Sequence, residues 1–187
     1  MIRPWPLKQS RIEVQNRIFT LCTKTAVSPL TGREHDFYIL EAGDWVNVLP
    51  LTKDDQVLLV RQFRHGTREV TLEIPGGLIE PGQTPEQAAA RELLEETGHA
   101  GRLSLLGRIR PNPAILNNWC YAFLARDVEE TEAKHLDESE DLELVKVPLE
   151  QVPALIARGV IDHALVLSAF FLLGLDQRRF KGANGET

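Results

Sequence analysis

A short stretch of the chain concentrates acidic residues near the end of a predicted helix. From Gly76 to Gly98 the sequence reads GGLIEPGQTPEQAAARELLEETG, which places Glu95 and Glu96 three and four residues after Glu92. Side chains at this spacing share one helical face, where like charges repel, and the C-terminal end of a helix disfavours acids further. A divalent cation would remove this repulsion, because Mg²⁺ binds carboxylate oxygens together with substrate phosphates. The spacing therefore indicates a metal site for phosphate chemistry.

The sequence also predicts where this helix begins and ends. Thr84 followed three residues later by Gln87 forms a capping box, and Gly98 is typical of the left-handed residue that ends a helix. Arg91 precedes Glu95 by four residues, so we expect the two to pair. Acidic faces are common on solvated helices. The acids alone therefore do not decide between a metal site and a solvent-exposed helix face.

The elements that must position these residues alternate between strand and helix signals. Strands are predicted at residues 11–26 (with a turn), 35–41, 45–51, 56–63, 71–74, 103–109, 119–125 and 142–147. Further helices are predicted at 149–158 and from about 164 to 177, and the acidic segment 127–141 is predicted to be a loop. Strands first, one central helix and closing helices predict an α+β layered sheet.

Composition excludes several classes of function. The 187 residues are 43% apolar and 26% charged, as expected for one globular domain. A net charge of −6 without a basic cluster argues against a nucleic-acid partner. The most apolar segment, residues 164–175, is too short to span a membrane. Cys22 and Cys120 lack metal or redox spacing, and no secretory leader is visible, so we expect a cytoplasmic protein.

The full register of the acidic segment resembles the Nudix box, whose pattern is G-x5-E-x7-R-E-U-x-E-E-x-G-U with U aliphatic. Gln83 stands where the pattern has its first Glu, and His99 stands at the final aliphatic position. The resemblance implies a bound Mg²⁺, or Mn²⁺, and metal ligands at the carbonyl of Gly76 and the carboxylates of Glu92, Glu95 and Glu96.

The resemblance extends over roughly residues 40–175 and is close to the ADP-ribose pyrophosphatase branch of the family. The segments VLLVRQFR (57–64) and LEIPGG (72–77) carry it outside the box. It implies the Nudix fold, an α+β mixed β-sheet sandwiched between α-helices, with an N-terminal antiparallel β extension. We expect this extension to occupy residues 1–44 and to form a homodimer, the alternative being a monomer. The hydrolase domain is expected at 45–180 and a disordered tail at 181–187.

A second acidic cluster lies in the 127–141 segment and has two interpretations. It is a solvated loop, or, as the resemblance implies, a loop that closes over the pyrophosphate. In the second case Glu138 is the catalytic base and Glu140 a further metal ligand, although the two roles could be exchanged. With Glu95 and Arg91, Glu138 completes the expected catalytic residues.

Four residues are expected to bind substrate: Arg61, Arg64, Glu73 and Pro113. Arg61 and Arg64, near the end of a predicted strand, could hold phosphate through two hydrogen bonds each. Arg64 could equally pair with Glu73 or Glu80, and the sequence leaves both interpretations open.

The expected reaction is Mg²⁺-dependent hydrolysis of the pyrophosphate bond of a nucleoside diphosphate sugar. Its products are a nucleoside monophosphate and a sugar phosphate. The resemblance favours ADP-ribose, but Asn117 and Asn118 follow Pro113 where an acid is typical of ADP-ribose enzymes. A preference for GDP-mannose or another nucleotide sugar therefore stays open. Two further alternatives are removal of damaged nucleoside triphosphates and a catalytically silent sensor.

Overall fold

The fold is taken from a computed structural model that describes residues 2–131 and 141–183, with side chains described up to residue 176. The chain divides into two compact units. The first comprises Met1–Asp44 together with Arg110–Trp119, and the second comprises Trp45–Ile109 together with Cys120–Thr187. Each unit has its own sheet.

The first unit is an antiparallel meander of three strands in the order β1-β2-β3. These strands are β1 (Leu7–Gln15), β2 (Phe19–Val27) and β3 (Glu34–Ala42). The turn between β1 and β2 is stabilised by Asn16, whose side-chain oxygen accepts hydrogen bonds from the amides of Ile18 and Phe19 at 2.8 and 2.9 Å. Segment 110–119 joins β3 through a 2.8 Å bond from the Leu40 amide to the Ile115 carbonyl. The predicted antiparallel extension is confirmed.

Within its described residues, the second unit contains a seven-stranded mixed sheet and three helices. Its strands are β4 (Trp45–Leu51), β5 (Gln56–Arg64), β6 (Glu69–Glu73), β7 (Gly76–Leu78), β8 (His99–Ile109), β9 (Cys120–Glu130) and β10 (Leu142–Pro148). The order is β10-β5-β4-β9-β8, with β6 on β5 and β7 on β4, and the β4–β9 pair is the parallel one among the described strand pairs of this sheet. The helices are α1 (Pro85–Thr97), α2 (Val152–Ala157), preceded by a 3₁₀ turn, and α3 (Ala164–Ala183).

The alternation of side chains along β4 builds a core on each face of this sheet. Val46 and Val48 pack in a cluster with Leu93 of α1, whereas Leu49 and Leu51 pack in a cluster with residues of α2 and α3. Both faces are apolar because both are covered, as in a sheet between helical layers. The predicted sandwich of a mixed sheet between helices is confirmed.

Several boundaries differ from the predictions. β9 continues to Glu130, so residues 127–130 of the predicted acidic loop belong to a strand that pairs with β8. β7, predicted as part of a glycine turn, forms a short strand against β4. α3 passes its predicted end at residue 177 and reaches Ala183. Of the predicted tail, residues 184–187 lie outside the described part of the chain. None of the described helices is long and apolar enough to cross a membrane.

Candidate active site

The acidic helix α1 is fixed at both ends by local sequence. The Thr84 hydroxyl accepts a hydrogen bond from the Gln87 amide while the Gln87 side chain accepts one from the Thr84 amide, which is the predicted capping box. At the other end Gly98 adopts a φ of 71°, and its amide donates to the carbonyl of Leu94 at 2.8 Å. The left-handed conformation suits glycine. Both caps are confirmed, and they set the register of the acids on α1.

Arg91 organises two of the three carboxylates near the end of α1. Its guanidinium donates to Glu92 at 2.8 Å and to Glu95 at 2.7 Å, the second being the predicted pair. It also donates to the carbonyl of Leu78 on β7 at 3.0 Å. Partial burial acts to lower the pKa of Arg91, but the charges and hydrogen bonds of Glu92 and Glu95 raise it above its ordinary value. Arg91 therefore stays charged and ties α1 to β7.

The glycine strand β7 passes directly against these acids. The amide of Gly76 donates to a carboxylate oxygen of Glu96 at 3.3 Å. A Cβ on Gly77 would overlap the carboxylate of Glu92, and a Cβ on Gly76 would overlap the backbone oxygen of Val46. The absence of side chains at both positions is what lets the β7 backbone approach the acids of α1.

The arrangement fits a divalent cation by charge and by donor type. Glu92 and Glu96 are only 7% and 4% exposed, and three carboxylates beside one guanidinium leave a formal charge of about −2. In the described parts of the chain, no three His, Cys, Asp or Glu side chains are arranged to hold a metal ion by themselves. Glu92 and Glu95 are instead bonded to Arg91. Glu92, Glu95 and Glu96 thus lie near one another on α1 but are not arranged as a three-carboxylate metal site.

A cavity of about 510 Å³ opens beside this acidic end. Gly76 and Gly77 line one part of it, and residues of β4, β5, β6 and the N-terminal end of α3 line the rest. The polar side chains in its wall are Asn47, Arg64, Thr67, Glu69, Thr71, Glu73, Asp162 and His163, with Trp45 beside them. The volume suits a ligand of nucleotide-sugar size.

Inside the cavity Arg64 and Glu73 form a two-pronged ion pair. Arg64 Nε and Nη2 donate to the two carboxylate oxygens of Glu73 at 2.8 and 2.7 Å, and Thr71 donates to the same carboxylate at 2.6 Å. Glu73 is 2% exposed. Burial acts to raise the pKa of Glu73, but the bonds from Arg64 and Thr71, with the charges of Arg64 and His163, lower it below its ordinary value. Of the two interpretations of Arg64, the structure thus contains the pair with Glu73.

The remaining predicted residues are distributed more widely. Arg61 is bonded to Glu143 on β10 at 2.6 Å and is not among the residues that line the cavity. Pro113 belongs to the first unit, whereas the other described candidates belong to the second. Glu138 and Glu140 lie outside the described residues, so their roles stay predictions.

The asparagine pair that follows Pro113 has a structural explanation. Asn117 accepts a hydrogen bond from the amide of Ala42 at 3.1 Å, and Asn118 donates to the carbonyl of Gly43 at 2.9 Å. The two side chains thus fasten segment 110–119 to the end of β3. Asn118 is almost fully buried.

Six polar residues of the cavity wall were not proposed as site residues by the sequence analysis: Asn47, Thr67, Glu69, Thr71, Asp162 and His163. Asn47 had a usable signal, because it interrupts the apolar alternation of β4. Asp162 and His163 precede α3 and lie far from the box in sequence, with no motif of their own.

Comparison with known proteins identifies the class to which this fold and site belong. The NUDIX domain family matches residues 43–170, which is more than half of the chain. The chain therefore belongs to the Nudix family, and the resemblance inferred from the box is confirmed.

Individual relatives have related names. The chain is 37% identical to the ADP-ribose pyrophosphatase of Bacillus subtilis over 120 residues, covering 63% of this chain and 65% of the relative. It is 33% identical to an ADP compounds hydrolase of Escherichia coli over 129 residues, covering 68% of each. The aligned part is thus about two thirds of each relative's length. A crystal structure of an ADP compounds hydrolase superposes with a TM-score of 0.83 at 25% identity, covering 100% of this chain and 99% of that chain.

Proposed function

We propose that the protein is a pyrophosphohydrolase that cleaves the phosphoanhydride of a nucleoside diphosphate sugar, with ADP-ribose as the first candidate. The products are a nucleoside monophosphate and a sugar phosphate. Family membership and the named relatives support the reaction class.

One observation supports this proposal most strongly: the glycine strand β7 lies against the buried carboxylates of α1 at the edge of a nucleotide-sized cavity. The Gly76 amide bonds Glu96, and Gly77 leaves room for Glu92. The carboxylate oxygens of Glu92 and Glu96 are buried beside this strand, and oxygen donors of this kind are the ligands that a divalent cation prefers. A solvated acidic helix face would have neither this burial nor this backbone approach.

The proposed cofactor is Mg²⁺, with Mn²⁺ as a substitute, held by Glu92, Glu95, Glu96 and the carbonyl of Gly76. When bound, such an ion supplies charge neutralisation of the diphosphate oxygens and acidifies a water. Oxygen donors are the ligands that these hard cations prefer.

The residues of the chain have separate roles in this proposal. Arg91 orients Glu92 and Glu95 and anchors them to β7 through Leu78. Arg64 keeps Glu73 ionised inside the cavity wall. Glu138 remains the proposed base that removes the proton from the attacking water, a step that contributes about 10²–10⁴-fold to the rate of an enzyme.

The test is an incubation of the full chain and Mg²⁺ with ADP-ribose, GDP-mannose and a nucleoside triphosphate, followed by ³¹P NMR of the products. We expect ADP-ribose to give AMP and ribose 5-phosphate. Glu92→Gln should abolish turnover, whereas Glu86→Gln, an exposed acid in the first turn of the same helix, should leave it unchanged. Pyrophosphate released from the triphosphate alone would favour nucleotide-pool cleaning, and turnover of none would favour a silent sensor.

We also propose that the first unit forms a homodimer through its sheet. β1 is exposed throughout, and it carries Leu7 and Ile12 at 59% and 60% exposure. A cavity of about 550 Å³ beside it is lined mainly by apolar residues that include Trp5 and Phe37. Apolar surface of this kind on a strand favours association with another chain, and a second copy is the partner proposed.

The two cysteines are buried thiols, which supports a reducing compartment such as the cytoplasm.

Sedimentation equilibrium of the full chain tests the dimer. We expect a mass of two chains for the wild type and of one chain for Ile12→Lys. Gln9→Lys, a polar residue of the same strand, is the matched control and should stay dimeric. A wild-type protein that sediments as one chain at micromolar concentration would contradict the proposal.

A further inference from the structure

His163 occupies a position in the cavity that the proposed chemistry does not use. It precedes α3, and its carbonyl accepts a hydrogen bond from the amide of Leu167 at 3.0 Å, which fixes its backbone at the helix start. Its side chain lines the cavity together with Glu73 and lies close enough to interact electrostatically with that carboxylate. The imidazole is therefore held at the side of the cavity formed by α3 and β6.

The ring of His163 has unused hydrogen-bonding capacity. Its Nδ1 atom is buried and has no hydrogen-bond partner among the described residues. A buried polar atom without a partner costs about 1–3 kcal/mol of stability. Such a cost in the wall of a ligand cavity is explained if a ligand, after a small rotation of the ring, provides the missing partner.

The surrounding charges indicate what kind of ligand group this is. Three carboxylates, Glu69, Glu73 and Asp162, line the same cavity. Arg64 is the one permanent cation among the described lining residues, and it already donates two hydrogen bonds to Glu73. Carboxylates repel phosphate oxygens at short range and accept hydrogen bonds from hydroxyl groups. The ring nitrogens of an imidazole can donate to or accept from a hydroxyl, so the ring also complements such a group.

We infer that His163 is a substrate-binding residue that holds a sugar hydroxyl, whereas the diphosphate lies at the Gly76–Gly77 end of the cavity. The inference rests on the proposed function, since it assigns the parts of a nucleoside diphosphate sugar to the two ends of the cavity. His163 thus contributes to the selection of sugar-bearing substrates over simple diphosphates.

The test compares the wild type with His163→Leu and His163→Asn in the full chain with Mg²⁺. For ADP-ribose we expect His163→Leu to raise KM about three- to tenfold, which is the loss of affinity expected when one hydrogen bond between neutral groups is removed. The kcat should stay within about twofold of the wild-type value. His163→Asn places a polar atom near the Nδ1 position and should recover most of the affinity. Because the leucine removes an unpaired buried nitrogen, the melting temperature should be unchanged or higher. A purely structural role for His163 predicts a lower melting temperature instead.

Two analogues identify the hydroxyl: the methyl ester of ADP, which lacks the terminal sugar, and the same ester of 2′,3′-dideoxyadenosine diphosphate. Their inhibition constants are measured in competition with ADP-ribose. If His163→Leu leaves both constants unchanged, the contact is to the terminal sugar. If it weakens only the first, the contact is to the nucleoside ribose.

Equal weakening of ADP-ribose and both analogues, or an unchanged KM for ADP-ribose, would overturn the inference. If the wild type does not hydrolyse ADP-ribose, the proposed function fails. Calorimetric binding of the same three compounds to the same variants then decides the His163 contact separately.

Discussion

The substitution Gly77→Ala tests whether the fit between β7 and α1 is required for activity. The backbone of Gly77 is not in the left-handed region, so alanine can adopt its conformation. The added Cβ, however, would overlap the carboxylate of Glu92, which has to move by about 1 Å to restore an ordinary contact. Arg91 holds that carboxylate at 2.8 Å, so the movement also disturbs the Arg91 pair.

The magnitude follows from this displacement. A misplacement of about 1 Å at a reacting centre costs about a hundredfold in rate, so we expect kcat for ADP-ribose to fall about a hundredfold. Stability should change by less than about 1 kcal/mol. The end of the Glu92 side chain can give way, and Gly→Ala restricts the unfolded chain in favour of folding.

The assay combines initial rates at saturating Mg²⁺ with thermal melting. The matched variant is Gly76→Ala, whose Cβ would meet the backbone oxygen of Val46 on the buried strand β4. A backbone atom cannot rotate away, so this variant should lose about 2 kcal/mol and melt about 4–8 °C lower. A wild-type kcat in Gly77→Ala would refute the proposal that activity requires the carboxylate of Glu92 at its present position beside Gly77.

Three further predictions concern the buried acids. Glu96→Gln should lower kcat about 10²–10³-fold without lowering the melting temperature, a result that near-normal turnover would contradict. Arg64→Met leaves the buried Glu73 without its two-pronged partner and should cost about 3 kcal/mol in urea unfolding; a loss below about 1 kcal/mol would show that the pair contributes little. Because the pKa of Glu73 is lowered on folding, its stabilisation is complete above the unfolded value near 4.5 and is lost as pH falls through the lower folded pKa. The unfolding free energy of Glu73→Gln should therefore fall less than that of the wild type between about pH 5 and pH 3, and equal slopes would contradict this.

Local sequence rules were sufficient for α1 and for the Nudix box. The capping box at Thr84, the left-handed Gly98 and the pair of Arg91 with Glu95 are contacts within four residues, so spacing alone determines them. The mixed sheet between helices followed from the order of strand and helix signals together with the resemblance.

The parts that escaped prediction depend on contacts distant in sequence. Arg64 had two plausible partners in the sequence, and only the pairing of β5 with β6 places Glu73 beside it. His163 enters the cavity because α3 packs on the same sheet, a contact that no local pattern encodes. The extension of β9 to Glu130 depends on pairing with β8, which overrides the acidic composition of that segment.

The most direct test of the account is a crystal structure with Mn²⁺ and an ADP-ribose analogue whose bridging oxygen is replaced by a methylene group. Anomalous scattering locates Mn²⁺ without reference to the surrounding protein. We expect an anomalous peak within bonding distance of Glu92, Glu96 and the carbonyl of Gly76, in contact with the diphosphate of the analogue. An occupied analogue with no anomalous peak beside these residues would contradict the proposal that the acidic end of α1 binds the catalytic metal.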